Sequence, residues 1–143
     1  MNVLVLNGPN LNLLGKRESA IYGDDSLDAL KDRLAKSFPK VSFSFYQSNH
    51  EGELIDRLHA AARDDTDAIL FNPGGYTHTS VALRDAVAAI DTPVIEVHIS
   101  NVAAREPFRQ ISMIAPACVG QIGGLGLDSY VVATHAMELR LAK

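Results

Sequence analysis

One cysteine, Cys118, is all the thiol in this 143-residue chain. A lone cysteine excludes an intrachain disulfide framework and a cysteine-rich metal site. Its setting, Ala117-Cys118-Val119, reads as a small buried hydrophobe rather than a nucleophile. No apolar stretch approaches the ~20 residues that span a bilayer. The start, Met1-Asn2-Val3, lacks the basic segment, apolar core and small-residue cleavage site of a secretory leader. A cytoplasmic protein without membrane association is therefore expected. No block of Lys and Arg offsets the formal charge of -4, which argues against a nucleic-acid partner. Low-complexity tracts, internal repeats and linkers are missing too. So are a Walker phosphate loop, a Gly-x-Gly-x-x-Gly dinucleotide loop and a Gly-x-Ser-x-Gly nucleophile elbow.

What is present is a folded chain, 47% apolar and 21% charged, of one-domain length. A single domain over residues 1–143 is expected. Residues 2–7, 41–45, 68–71, 94–98 and 119–122 read as strands. Helical spacing covers residues 26–37, 51–63, 79–89 and 126–141, with a brief turn at 104–108. Ser26 is placed to cap the first helix, and Phe38-Pro39 ends it. The third helix offers Val81, Ala82, Ala86 and Val87 for packing. Continuous apolar strands alternating with helices predict an α/β three-layer sandwich around a five-stranded parallel sheet. The expected strand order is the flavodoxin-like 2-1-3-4-5, with right-handed crossovers.

In such a sheet the polar groups after strands one, three and four meet at one edge, where ligands bind. The first loop carries Asn7, Asn10, Asn12, Arg17 and Tyr22. The third strand leads into Asn72, Gly74-Gly75 and His78. The fourth supplies Glu96, His98, Ile99, Ser100 and Asn101. A neighbouring cation favours a phenolate, so Arg17 can make Tyr22 a general base. His98 can serve as the acid, held by Glu96 on the same strand face. Arg109 and Asp85 fit a carboxylate or hydroxyls of a ligand, and fit surface salt bridges equally well. Asn7 and Asn10 fit local backbone roles as well as ligand contact. Ligand chemistry alone would allow a metal at His78, Glu96 and His98, but no further tight ligand pattern supports one. A non-catalytic flavodoxin-like binding or signalling module is the alternative, and it would not need Tyr22, Arg17 and His98 together.

These motifs resemble type II 3-dehydroquinate dehydratase over nearly the whole chain. The resemblance rests on Leu6-Asn7-Gly8-Pro9-Asn10-Leu11-Asn12, on Gly15-Lys16-Arg17-Glu18 with Tyr22-Gly23, and on Asn72-Pro73-Gly74-Gly75-Tyr76-Thr77-His78-Thr79-Ser80. It extends through Glu96-Val97-His98-Ile99-Ser100-Asn101 and Arg105-Glu106 with Phe108-Arg109. It implies reversible dehydration of 3-dehydroquinate to 3-dehydroshikimate through an enolate, in the shikimate pathway, with no metal or organic cofactor. By the resemblance, Tyr22 takes the C2 proton and Arg17 supports it. Asn12 positions a water on the enolate oxygen, and His98 protonates the departing C1 hydroxyl. Asn72, His78, Arg109 and the backbone at Ile99 and Ser100 match substrate-binding positions. Asp85 matches an acidic residue that approaches a neighbouring subunit's site. The resemblance further implies a mobile lid at about residues 15–25 and a dodecamer built as four trimers. Two positions depart from the family pattern. Ser19 stands where proline is common, and Gln110-Ile111 where His-His or similar is common.

Overall fold

The computed structural model describes residues 1–16 and 25–143. The chain runs β1 (Asn2–Asn7), α1 (Leu27–Ser37), β2 (Ser42–Gln47), α2 (Glu51–Ala61) and β3 (Ala68–Asn72). It continues through α3 (Val81–Ala88), β4 (Val94–His98), β5 (Gly120–Gly123) and α4 (Asp128–Leu141). The sheet order is β2-β1-β3-β4-β5, and each neighbouring pair is parallel. This is the expected flavodoxin-like order.

Strand pleating sends successive side chains of β1 to opposite faces. Val3 and Val5 join Leu30, Leu34, Tyr130 and Met137 beneath α1 and α4. Leu4 and Leu6 join Leu54, Leu58, Phe71 and Leu83 beneath α2 and α3. β3 and β4 are buried at every position, their polar residues Asn72, Glu96 and His98 included. β2 lies at the sheet edge and none of its residues is fully buried. Its period-two alternation reflects that half-exposed place. In α1 the Ala29 N–H donates to Ser26 Oγ at 3.1 Å, closing the expected cap. Such a cap contributes about 1 kcal/mol. Burial of Leu30 and Leu34 contributes about 1.5–3 kcal/mol each, so packing rather than capping holds α1 in place.

Several boundaries shift by one to two residues from expectation, and three of the shifts have clear local reasons. The third helix starts at Val81 because Ser80 is its cap, with Leu83 N–H donating to Ser80 Oγ at 2.9 Å. Its packing face is Leu83, Ala86 and Val87. Val81 is 53% exposed and Ala82 is exposed as well. The last helix begins at Asp128 rather than residue 126. Gly124 and Gly126 have φ of 88° and 61°, a left-handed backbone that forms a turn and delays the helix. β2 continues through Tyr46 and Gln47, because their backbone pairs with Leu6 and Asn7. Among the described residues, no helix is long and apolar enough to cross a membrane.

Candidate functional site

Sheet register builds the site. Asn7 pairs with Asn72, and Phe71 pairs with Glu96, so β1, β3 and β4 end at one edge. Short 3-10 turns follow these strands: Leu11–Leu13, Gly74–His78, Val102–Ala104 and Pro107–Arg109. The first two turns touch through Gly8, whose N–H donates to the Asn72 carbonyl at 2.7 Å. A Cβ on Gly8 would lie 2.5 Å from the Pro73 carbonyl oxygen. Gly8→Ala is therefore expected to cost about 1–3 kcal/mol of stability and to lower activity as the two loops separate. Denaturant unfolding and turnover measured on the same preparation test this; parental values for both would refute it.

A cavity of about 120 Å³ opens over the strand ends. Asn72, His78, His98, Ile99, Ser100 and Arg109, all expected site residues, line it. A second hollow of about 250 Å³ adjoins it and shares His78, His98, Val102 and Arg109. The two hollows thus form one groove, with both histidines on its walls.

Glu96 does not line the first cavity; it is fully buried beneath it. Its carboxylate needs partners there, since an unpaired buried charge is costly. Ser112 Oγ donates to one oxygen at 2.7 Å, and Gln121 Nε2 donates to the other. His98 Nε2 lies 3.1 Å from that second oxygen. This is ion-pair distance, although the direction falls outside hydrogen-bond geometry. The strand-face reading of Glu96 and His98 thus corresponds to a direct contact. Ser112 is itself fixed, because its hydroxyl oxygen accepts from the N–H groups of Ile114 and Ala115.

His78 Nδ1 lies 2.8 Å from the Ile111 carbonyl. A carbonyl only accepts, so Nδ1 carries the hydrogen and Nε2 is left for other partners. The departure at Ile111 therefore leaves this contact intact, because the backbone makes it. Gln110 donates to the Ala103 carbonyl at 3.1 Å. Arg109 donates to Glu106 and stacks its guanidinium 4.9 Å over the Phe108 ring. The Arg109 hydrogen bond holds the Glu106 carboxyl below its ordinary range.

Two expected residues stand apart from the cavity. Asn12 is exposed on the Leu11–Leu13 turn, and its Oδ1 accepts from Gln47 Nε2 at 3.5 Å. Asp85 is exposed on α3, 3.9 Å from Arg84. Arg17, Ser19 and Tyr22, with most of the expected lid, lie outside the described residues. Cys118 packs half-buried, and burial pushes its thiol up to about 12, with the Glu96 charge adding to the rise. It remains a thiol at neutral pH, and the thiolate is the nucleophilic form. Among the described residues, no group of three His, Cys, Asp or Glu side chains is placed to hold a metal ion.

The family model for class II dehydroquinase matches residues 1–138. The chain belongs to the class II dehydroquinase family. Among its relatives, a 3-dehydroquinate dehydratase of Caldicellulosiruptor saccharolyticus is 53% identical over 138 residues, covering 95% of each chain. One from an Exiguobacterium species is 56% identical over 138 residues, covering 96% of this chain and 94% of that one. The crystal structure of type II dehydroquinase from Butyrivibrio crossotus superposes with a TM-score of 0.93 at 47% identity. That match covers 96% of this chain and 97% of the other.

Sequence reasoning passed over four polar residues that this class II dehydroquinase places at or behind its cavity. Arg105 lines it and donates from Nη1 to Ser100 Oγ at 3.2 Å. Gln121 and Ser112 hold Glu96. Gln121 is set beside Glu96 by the register of β5 on β4, which only the structure shows. Tyr130 is the fourth, and no local pattern in α4 marks it.

Proposed function

We propose that Tyr22, Arg17, His98 and Asn12 carry the chemistry by which this class II dehydroquinase converts 3-dehydroquinate to 3-dehydroshikimate. Tyr22 takes the proton from C2, and the electrons of that bond move into the adjacent ketone to give an enolate. Arg17 keeps a positive charge beside Tyr22. A water positioned by Asn12 stabilises the enolate oxygen, in the manner of a preorganised oxyanion site. The ketone then re-forms from the enolate, the electron pair of the enolate double bond moves to make a new double bond between C1 and C2, and the bond from C1 to its hydroxyl breaks. Hydroxide is a poor leaving group, so His98 supplies a proton and water departs. Glu96 acts through His98 by fixing its ring from below. Asn72, His78, Arg109 and the backbone at Ile99 and Ser100 hold the substrate's carboxylate and hydroxyls.

The observation that carries this reading is convergence. One cavity of about 120 Å³ is lined by Asn72, His78, His98, Ser100 and Arg109, which come from separate strand ends. Its test uses the purified protein with 3-dehydroquinate. The conjugated enone of 3-dehydroshikimate is expected to accumulate, and its absence with folded protein would overturn the reading.

The assembly belongs to the same proposal: a dodecamer of four trimers, in which Asp85 approaches a neighbour's cavity. In support, Asp85 is exposed and remote from its own cavity lining, and Val81 on the same helix is 53% exposed. Closure of the loop around residues 15–25 would exclude water and bring the base to the substrate. Sedimentation at assay concentration is expected to show a twelve-chain species. A fully active monomer would refute both the assembly and the reach of Asp85 across subunits.

A further inference from the structure

A second buried polar contact beneath the cavity is made by a residue the reaction does not use. Tyr130 lies in α4 and is fully buried. Its hydroxyl donates to Asn7 Oδ1 at 2.6 Å and accepts from Asn72 Nδ2 at 3.0 Å. Asn7 and Asn72 are register neighbours on β1 and β3, so one phenol bridges two strand ends. Asn72 Oδ1 in turn accepts from the Gly74 N–H at 3.1 Å.

These bonds define which way the Asn72 amide faces. Reversing it would set Nδ2 against the Gly74 N–H, donor on donor. On the other side Oδ1 would meet the Tyr130 oxygen, whose hydrogen is already given to Asn7. An asparagine amide has two N–H groups. One goes to Tyr130, and the second remains on a residue that lines the cavity. Burial pushes the Tyr130 hydroxyl above the ordinary phenol range, with the Asn72 bond pulling it partly back. The phenol therefore keeps its hydrogen across the working pH range.

We propose that Tyr130 is a positioning residue, which orients the Asn72 amide so that its second N–H is presented to an oxygen of the bound substrate. This rests on the reading of Asn72 as a substrate-binding residue. A phenol that merely ties α4 to the sheet would give stability without acting through Asn72, and the two roles separate in kinetics.

Tyr130→Phe keeps the ring and removes the hydroxyl. It is expected to raise KM about five- to tenfold while kcat stays within about twofold of the parent, the scale of one net hydrogen bond. In an Asn72→Ala background the same change is expected to add less than about twofold, because the amide it orients is gone. An equal KM factor in both backgrounds would overturn the inference. So would an unchanged KM in Tyr130→Phe alongside a raised KM in Asn72→Ala, a result that leaves the Asn72 reading standing. Parental kinetics in Asn72→Ala would remove that reading and this inference together. Should Tyr130→Phe fail to fold, Asn7→Ala takes its place. It removes the acceptor that fixes the phenol hydrogen, so the hydroxyl can donate to Oδ1 of a reversed Asn72 amide, and it is expected to raise KM with kcat near the parent. A parental KM in folded Asn7→Ala would then overturn the inference.

Discussion

Tyr22→Phe is expected to leave a folded protein that dehydrates 3-dehydroquinate at less than about one hundredth of the parent rate. The aromatic ring remains, and only the proton acceptor is lost. General base catalysis contributes about 10²–10⁴ in rate, and no other group in the proposed chemistry takes the C2 proton. Arg17→Ala is expected to lower turnover as well, because the phenolate loses its adjacent cation. Both residues belong to the segment outside the described structure, so their assignment rests on Gly15-Lys16-Arg17-Glu18 with Tyr22-Gly23 and on family membership. The measurement is steady-state enone formation, paired with circular dichroism and thermal unfolding. Near-parental turnover in folded Tyr22→Phe would remove Tyr22 as the base.

The sheet was legible because burial and periodicity agree in it. β3 and β4 have no exposed position, and the run 68–71 with Val94, Ile95 and Val97 records that burial. Helix phase was harder where small residues dilute the pattern. In Val81-Ala82-Leu83 three adjacent residues are apolar, and the choice among them is made by the Ser80 cap. That cap is tied to α2, since Ser80 Oγ also donates to Glu51 Oε2 at 2.7 Å. Sequence periodicity carries no record of such a tertiary bond.

The site divides in the same way. Residues directly after strands, such as Asn72 and His98, were legible because strand ends converge in any parallel sheet. Residues that support them from other elements were not. Tyr130 reaches Asn7 across a separation of 123 residues, and its partner Asn72 across 58. Ser112 reaches Glu96 from a loop with no regular spacing. Asn12 shows the reverse case. Its motif marked it, yet it lies exposed and outside the cavity lining. In the proposed chemistry its contact with substrate runs through a water.

His98→Ala is expected to separate the two halves of the reaction. His98 is nearly buried, lines both hollows and sits against Glu96 at 3.1 Å. It approaches β5 closely as well: a Cβ on Gly123 would lie 3.1 Å from that of His98. Backbone on one side and a carboxylate beneath thus hold the ring against the strand ends. Proton removal at C2 does not need His98, since the charge that develops passes to the ketone oxygen. Departure of the hydroxyl does need an acid, and losing it costs about 10²–10⁴ in rate. In deuterated water, folded His98→Ala is therefore expected to place deuterium at C2 of recovered 3-dehydroquinate while elimination falls steeply. Substrate-induced protection from thermal unfolding reports binding independently, because a ligand that binds only the folded state raises its stability. Elimination near the parent rate would remove His98 as the acid.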